Sequence, residues 1–208
     1  MPTSQMLLAF FATSTLLALA PGPDNLFVLT QSALRGKAAG LAVTLGLCTG
    51  LIVHTTAVAL GLAAIFAAST LAFTILKLCG AAYLLWLAWQ AFRASSTAFQ
   101  AGTAGRLAGW QLYRRGIVMN ITNPKVSIFF LAFLPQFADP ARGSLTLQML
   151  VLGVIFILAT ILIFGGIALL AGTLGDWLTR SPGVQRVMNR VTGTIFTALA
   201  LKLAFSRR

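Results

Sequence analysis

Ala20-Pro21-Gly22-Pro23-Asp24-Asn25 lies inside an apolar run covering residues 6–34. Asn120-Ile121-Thr122-Asn123-Pro124-Lys125 lies inside another, residues 110–133. Proline fixes φ and carries no amide hydrogen, so Pro21, Pro23 and Pro124 each stop regular helix, and Gly22 loosens the backbone further. Each stretch therefore predicts two helical pieces meeting at a break within one span. Lipid offers no hydrogen bonds, so irregular backbone at that depth survives only against protein or a wet cavity. The helix restarting after each proline presents free N–H groups and partial positive charge, which can receive an anion. Beyond Lys125, residues 126–134 are apolar except for Ser127. At about 1.5 Å per residue they cover close to half a bilayer.

The composition explains why a bilayer is the setting. Of 208 residues, 58% are hydrophobic and 9% charged, with a mean hydropathy of +0.91. A soluble domain carries about 25% charged residues, so this chain cannot cover a water-facing surface. An ordinary soluble enzyme, a disordered tail and a secreted disulfide scaffold are excluded. Six apolar runs approach the ~20 residues that a spanning helix needs. They cover residues 6–34, 41–66, 71–92, 110–133, 145–171 and 184–205, the last with Arg186 and Arg190 in its opening turns at the interface. Residues 150–163 lack the alternation of a barrel strand. Ala18-Leu19-Ala20 mimics a signal-peptide cleavage site, but no Lys or Arg precedes it and Pro21 follows, so the first run reads as a retained span.

The two breaks occupy matching places, each in the first span of a three-span half. Aligning Pro23 with Pro124 pairs Asp24 with Lys125. An odd number of spans per half makes the halves run in opposite directions. The expected fold is an all-α integral membrane protein, six transmembrane helices arranged as two inverted three-helix repeats with broken first helices. Residues 1–208 form a single transmembrane domain, with repeat one over 1–95, a linker rich in Ser, Thr, Gly and Ala over 96–109, and repeat two over 110–208. Interrupted helices at corresponding positions of inverted halves point to a transporter's binding site.

Fifteen Lys and Arg face three acids, a net charge of +12. In a bilayer protein this excess belongs to cytosolic loops, so nucleic acid is not an expected partner. With both termini outside, the cytosolic ends hold Arg35, Lys37, Arg93, Arg106, Arg114, Arg115, Arg180, Arg186 and Arg190, against Arg142, Arg207 and Arg208 outside. Trp110 and Tyr113 beside Arg114 and Arg115 read as interface anchors.

There is no Glu, and of Asp24, Asp139 and Asp176 only Asp24 falls in a span, the other two reading as loop residues. A charge near the bilayer centre costs about 2.5–3.5 kcal/mol on insertion scales, so such a residue is a functional candidate. Asp24 reads either as a site for a proton or a substrate ammonium, or as a helix cap or partner of Lys125 that holds the halves together. Asn25, Asn120, Asn123 and Lys125 are candidates for the substrate carboxylate. One acid suits a neutral amino acid better than a dibasic one. His54 follows Gly46 and Gly50 at GxxxGxxxH spacing on one helix face. Close packing is the favoured reading of that face, within one subunit or in a homo-oligomer, and gating or proton relay the other.

These motifs carry a family resemblance. The Pro21–Asn25 run, the Asn120–Lys125 run, Gly46, Gly50 and His54, and Gly80-Ala81-Ala82-Tyr83-Leu84 together resemble the LysE/RhtB superfamily of amino-acid exporters, over nearly the whole chain. The resemblance implies export of amino acids or related metabolites across the plasma membrane by proton antiport. Pro21, Gly22, Pro23, Asp24 and Asn25 would form one re-entrant element, and Asn120, Asn123, Pro124 and Lys125 its partner. No cofactor is expected. A metal-ion or other small-solute transporter of the same architecture is the alternative, though one Asp and one His are few ligands and no metal site is assigned. An enzyme would need an acid–base pair or metal cluster. A thiol relay would need cysteines at the breaks, and Cys48 and Cys79 lie elsewhere.

Overall fold

The computed structural model describes residues 1–68, 70–94, 108–180 and 182–205. These residues are almost wholly helical and contain no strand. Most of the 96–109 linker lies outside the described residues, as do Arg106, Arg207 and Arg208.

Helix α1 covers Ser4–Leu19, opened by Thr3, whose side chain accepts from the Met6 amide. It stops at Ala20 because Pro21 follows. Helix α2, Pro23–Arg35, restarts with Pro23 in its first turn and Gly22 as its cap, where a missing N–H costs nothing. The axes bend by 63° across the break. Gly36, with φ +85°, then turns the chain directly into α3, Lys37–Ala68. Helix α4 is Thr70–Arg93.

The second half repeats the pattern. Helix α5, Gly109–Ile121, ends at Thr122. Asn123 caps α6, Pro124–Ile128, its Oδ1 accepting from the Lys125 amide. The chain widens into π-helix over Phe129–Phe133 and tightens into 3₁₀-helix over Leu134–Phe137. The bend at Pro124 is 49°. A short 3₁₀ turn, Pro140–Arg142, leads to α7, Leu145–Arg180, and then α8, Pro182–Phe205. Asp176 therefore lies on a helix that outlasts its apolar stretch, not in a loop.

Among the described residues, three single helices and two bent pairs are long and apolar enough to cross a membrane, up to five candidate spans if each bent pair is one span. Helix α8 has the length but not the hydropathy, because Asn189, Arg190 and Lys202 interrupt it. The outward faces expose Leu60, Leu162 and Leu169 at more than 60% each. In water such surface would be costly; against acyl chains it is not. Ser14 and Thr55 turn their hydroxyls onto the preceding turn, to Phe10 O and Leu51 O, so these two side chains are satisfied without water.

Helix α3 packs on α5 and α7, α1 on α7, and α4 on α8. Glycines set the closest approaches. A Cβ on Gly46 would lie 2.1 Å from the Tyr113 carbonyl oxygen, and one on Gly116 2.5 Å from that of Val43. Backbone cannot yield as a side chain can, so Gly46→Ala is expected to cost about 1–3 kcal/mol by forcing α3 and α5 apart. A lowered unfolding temperature in detergent would show it. Gly46 and Gly50 thus pack within one chain.

Candidate functional site

The prolines leave helix-end carbonyls without their usual donors, and side chains from both halves gather at them. In unbroken helix the amide of residue 21 would bond to Leu17 O, but Pro21 has none. Lys125 Nζ donates instead, to Leu17 O at 3.4 Å and Ala20 O at 3.1 Å. Asn25 Nδ2 donates to Ala18 O at 2.6 Å. An ammonium at a helix C-terminus is also favoured by the helix dipole. Pro124 in the same way deprives Asn120 O of its donor. His54 Nε2 lies 3.2 Å from that oxygen, which the Asn123 amide also reaches at 3.1 Å. Across the breaks, Asn123 Nδ2 donates to Asp24 Oδ2 at 2.8 Å.

Asp24, Asn25, Asn120, Asn123 and Lys125 are therefore brought together, all buried, with Asp24 at 3% and Lys125 at 8% exposure. Pro21, Gly22, Pro23 and Pro124 form the bends between them. Gly46, Gly50 and His54 form the face of α3 that receives α5. A Cβ on Gly50 would sit 2.6 Å from Asn120 Oδ1, and the His54 ring lies 5.6 Å from that of Phe130. Asp24 and Lys125 line one cavity, yet their hydrogen bonds go to Asn123 and to the α1 carbonyls, not to each other.

Three buried oxygens here have no hydrogen-bond partner: Asp24 Oδ1, Asn25 Oδ1 and Asn120 Oδ1. All are acceptors, and a buried acceptor left empty costs about 1–3 kcal/mol. The cavity shared by Asp24, Asn120 and Lys125 has a volume of about 20 Å³, room for a water or two. On the other side of Lys125 lies a cavity of about 380 Å³, within the range of small-molecule sites. Its floor is Pro21, Gly22, Pro23, Asn123, Pro124 and Lys125; its walls are α4, from Tyr83 to Ala94, and α8, from Asn189 to Phe196. Among the described residues, Lys125 is the charged residue of that lining and no acid accompanies it. Sequence reasoning missed these walls. Their signal was Gln90, Asn189 and Thr192, polar residues inside the apolar runs 71–92 and 184–205.

Beyond the second break, Phe10, Phe129, Phe130, Phe133, Phe137 and Phe156 pack ring against ring with centroids 5.0–6.3 Å apart. Four of them, Phe10, Phe129, Phe130 and Phe133, are buried almost completely.

The family model described as LysE type translocator matches residues 15–207, both helix breaks included. The chain belongs to this family. A LysE type translocator is a multi-pass membrane transporter, not an enzyme. This LysE-type chain is 37% identical over 199 residues to a homoserine/homoserine lactone efflux protein of Salmonella typhimurium, covering 96% of each chain. An uncharacterized membrane protein of Vibrio cholerae is 34% identical over 96% of this chain and 97% of its own. A leucine efflux protein of Enterobacter sp. is 27% identical over 90% of each. No solved structure matches.

Proposed function

We propose that this LysE-type translocator exports a small neutral amino acid, homoserine or a close analogue, from the cytosol across the plasma membrane in exchange for protons. The observation that carries the reading is the group of unpartnered acceptors, Asp24 Oδ1, Asn25 Oδ1 and Asn120 Oδ1, beside the one buried ammonium of Lys125. A zwitterion has the complementary parts. Its carboxylate suits Lys125, and its ammonium suits Asp24 with the two asparagine oxygens. The relative at 37% identity is named for homoserine and the one at 27% for leucine, which favours the hydroxylated substrate.

Exchange follows from one carboxylate serving two cations. Asp24 holds either a proton or the substrate ammonium, so each leaves before the other binds. The architecture that goes with this has six spans in two inverted repeats, both termini outside. The packing supports it: exchanging the halves turns the α3–α5 contact into α7–α1 and leaves α3–α7 and α4–α8 unchanged. In that orientation the larger cavity, beside the end of α4 and the start of α8, faces the cytosol, and the aromatic cluster closes the outer path. Rocking of the halves about the breaks would alternate access.

Proteoliposomes loaded with unlabelled homoserine should accumulate labelled homoserine by counterflow, and efflux should quicken when the receiving side is more acidic. Absence of counterflow with homoserine, threonine and leucine alike overturns the reading. Gly22 gives a finer check. A Cβ there would lie 3.1 Å from Lys125 Nζ, while the extended backbone, φ −168° and ψ 178°, accepts any residue. Gly22→Ala should fold normally and raise the apparent KM about fivefold by displacing the ammonium.

A further inference from the structure

Resting on that reading, we infer that Gln90 and Thr192 form the subsite for the far end of the substrate's side chain and select a hydroxyl over a hydrocarbon. Both line the larger cavity with Lys125. Two contacts fix how α4 and α8 align, in opposite directions: Asn189 Nδ2 donates to Ala94 O at 3.1 Å, and Gly193 lies against the Phe92 ring. That register puts Gln90 and Thr192 within about one helical turn of each other in depth, both on the cavity wall.

The depth suits the substrate. The Phe196 ring centroid is 6.0 Å from Lys125 Nζ, which sets the level of a bound carboxylate. Thr192 is four residues nearer the mouth, about 6 Å along the helix axis. The hydroxyl of a four-carbon hydroxy amino acid lies about 5 Å from its carboxyl carbon by ordinary bond lengths. Thr192, only 3% exposed, donates its hydroxyl hydrogen to Met188 O at 2.8 Å. Its oxygen is thereby left to accept. Gln90 carries both a donor and an acceptor. Asn123 and Asn189 line the same space, but Asn123 is committed to Asp24 and to the Lys125 amide and the Asn189 amide to Ala94 O. A leucine side chain at this level would cover Gln90 and Thr192 without pairing them, and sites built around a hydroxyl discriminate in this way.

The test is counterflow of homoserine and of leucine in proteoliposomes of the full chain, for wild type, Gln90→Leu, and Gln90→Leu with Thr192→Val. The expected result is a fall of about tenfold in the homoserine-to-leucine ratio in the double variant, a smaller fall in the single one, and persisting leucine exchange. An unchanged ratio overturns the inference. So does loss of both exchanges in both variants with protein present in the vesicles, since these side chains would then support the carrier as a whole. Wild type that exchanges neither amino acid overturns the proposed function instead.

Discussion

Asp24→Asn should uncouple export from the proton gradient. The substituted amide keeps the shape and can still accept from Asn123, which reaches Asp24 Oδ2 at 2.8 Å. It cannot take up and release a proton. Losing a charge-assisted bond to the substrate ammonium costs about 1.5–3 kcal/mol, so exchange should drop roughly 10- to 100-fold. The residual flux should be indifferent to acid on the receiving side. Vesicle assays with and without an imposed pH difference separate the two effects. Full proton-driven export by this variant would end the idea of one carboxylate shared by proton and substrate.

Lys125→Met should be the most damaging single change. It removes the donors to Leu17 O and Ala20 O, and Pro21 has no amide to take over at Leu17. It also leaves Asp24, 3% exposed, as an uncompensated buried charge. Breaking a buried charge relationship from one side typically costs about 3–5 kcal/mol. Transport should vanish and the unfolding temperature in detergent should fall. Adding Asp24→Asn to Lys125→Met should restore part of the stability without restoring transport, because the pair is then neutral. If the double variant is less stable than Lys125→Met alone, the two side chains do not compensate each other.

The breaks were legible in the sequence because proline acts locally. Pro21, Pro23 and Pro124 remove amides wherever they stand, and the α1–α2 and α5–α6 boundaries follow. What the breaks bind was not legible. The acceptors of Lys125 lie 108 and 105 residues away, and no spacing rule reaches that far. Asp24 and Lys125 meet in one cavity through intermediaries and not as an ion pair, since Asn123 carries the link. The π-helical stretch Phe129–Phe133 was also invisible, because an apolar run reads alike in any helical winding. In α8 the sequence was ambiguous from the start, with Arg186, Arg190 and Lys202 competing with the apolar residues for a place in lipid. Gln90 and Thr192 went unread for a different reason. A single polar residue per turn in a span is common, and only the register of α4 against α8 makes these two neighbours.

The exchange of donors between the breaks bears on how the polypeptide is made. Leu17 O and Ala20 O wait for a side chain encoded more than a hundred residues later. While the ribosome is still adding α3 and α4, the kink at Pro21 lacks the Lys125 donor, and α1 with α2 cannot reach their final pose. The amino-terminal segment would therefore linger at the insertion machinery until α6 emerges. The same dependence makes each part a template for the other: residues 1–94 supplied as one polypeptide and the remainder as another should assemble together far better than either settles alone.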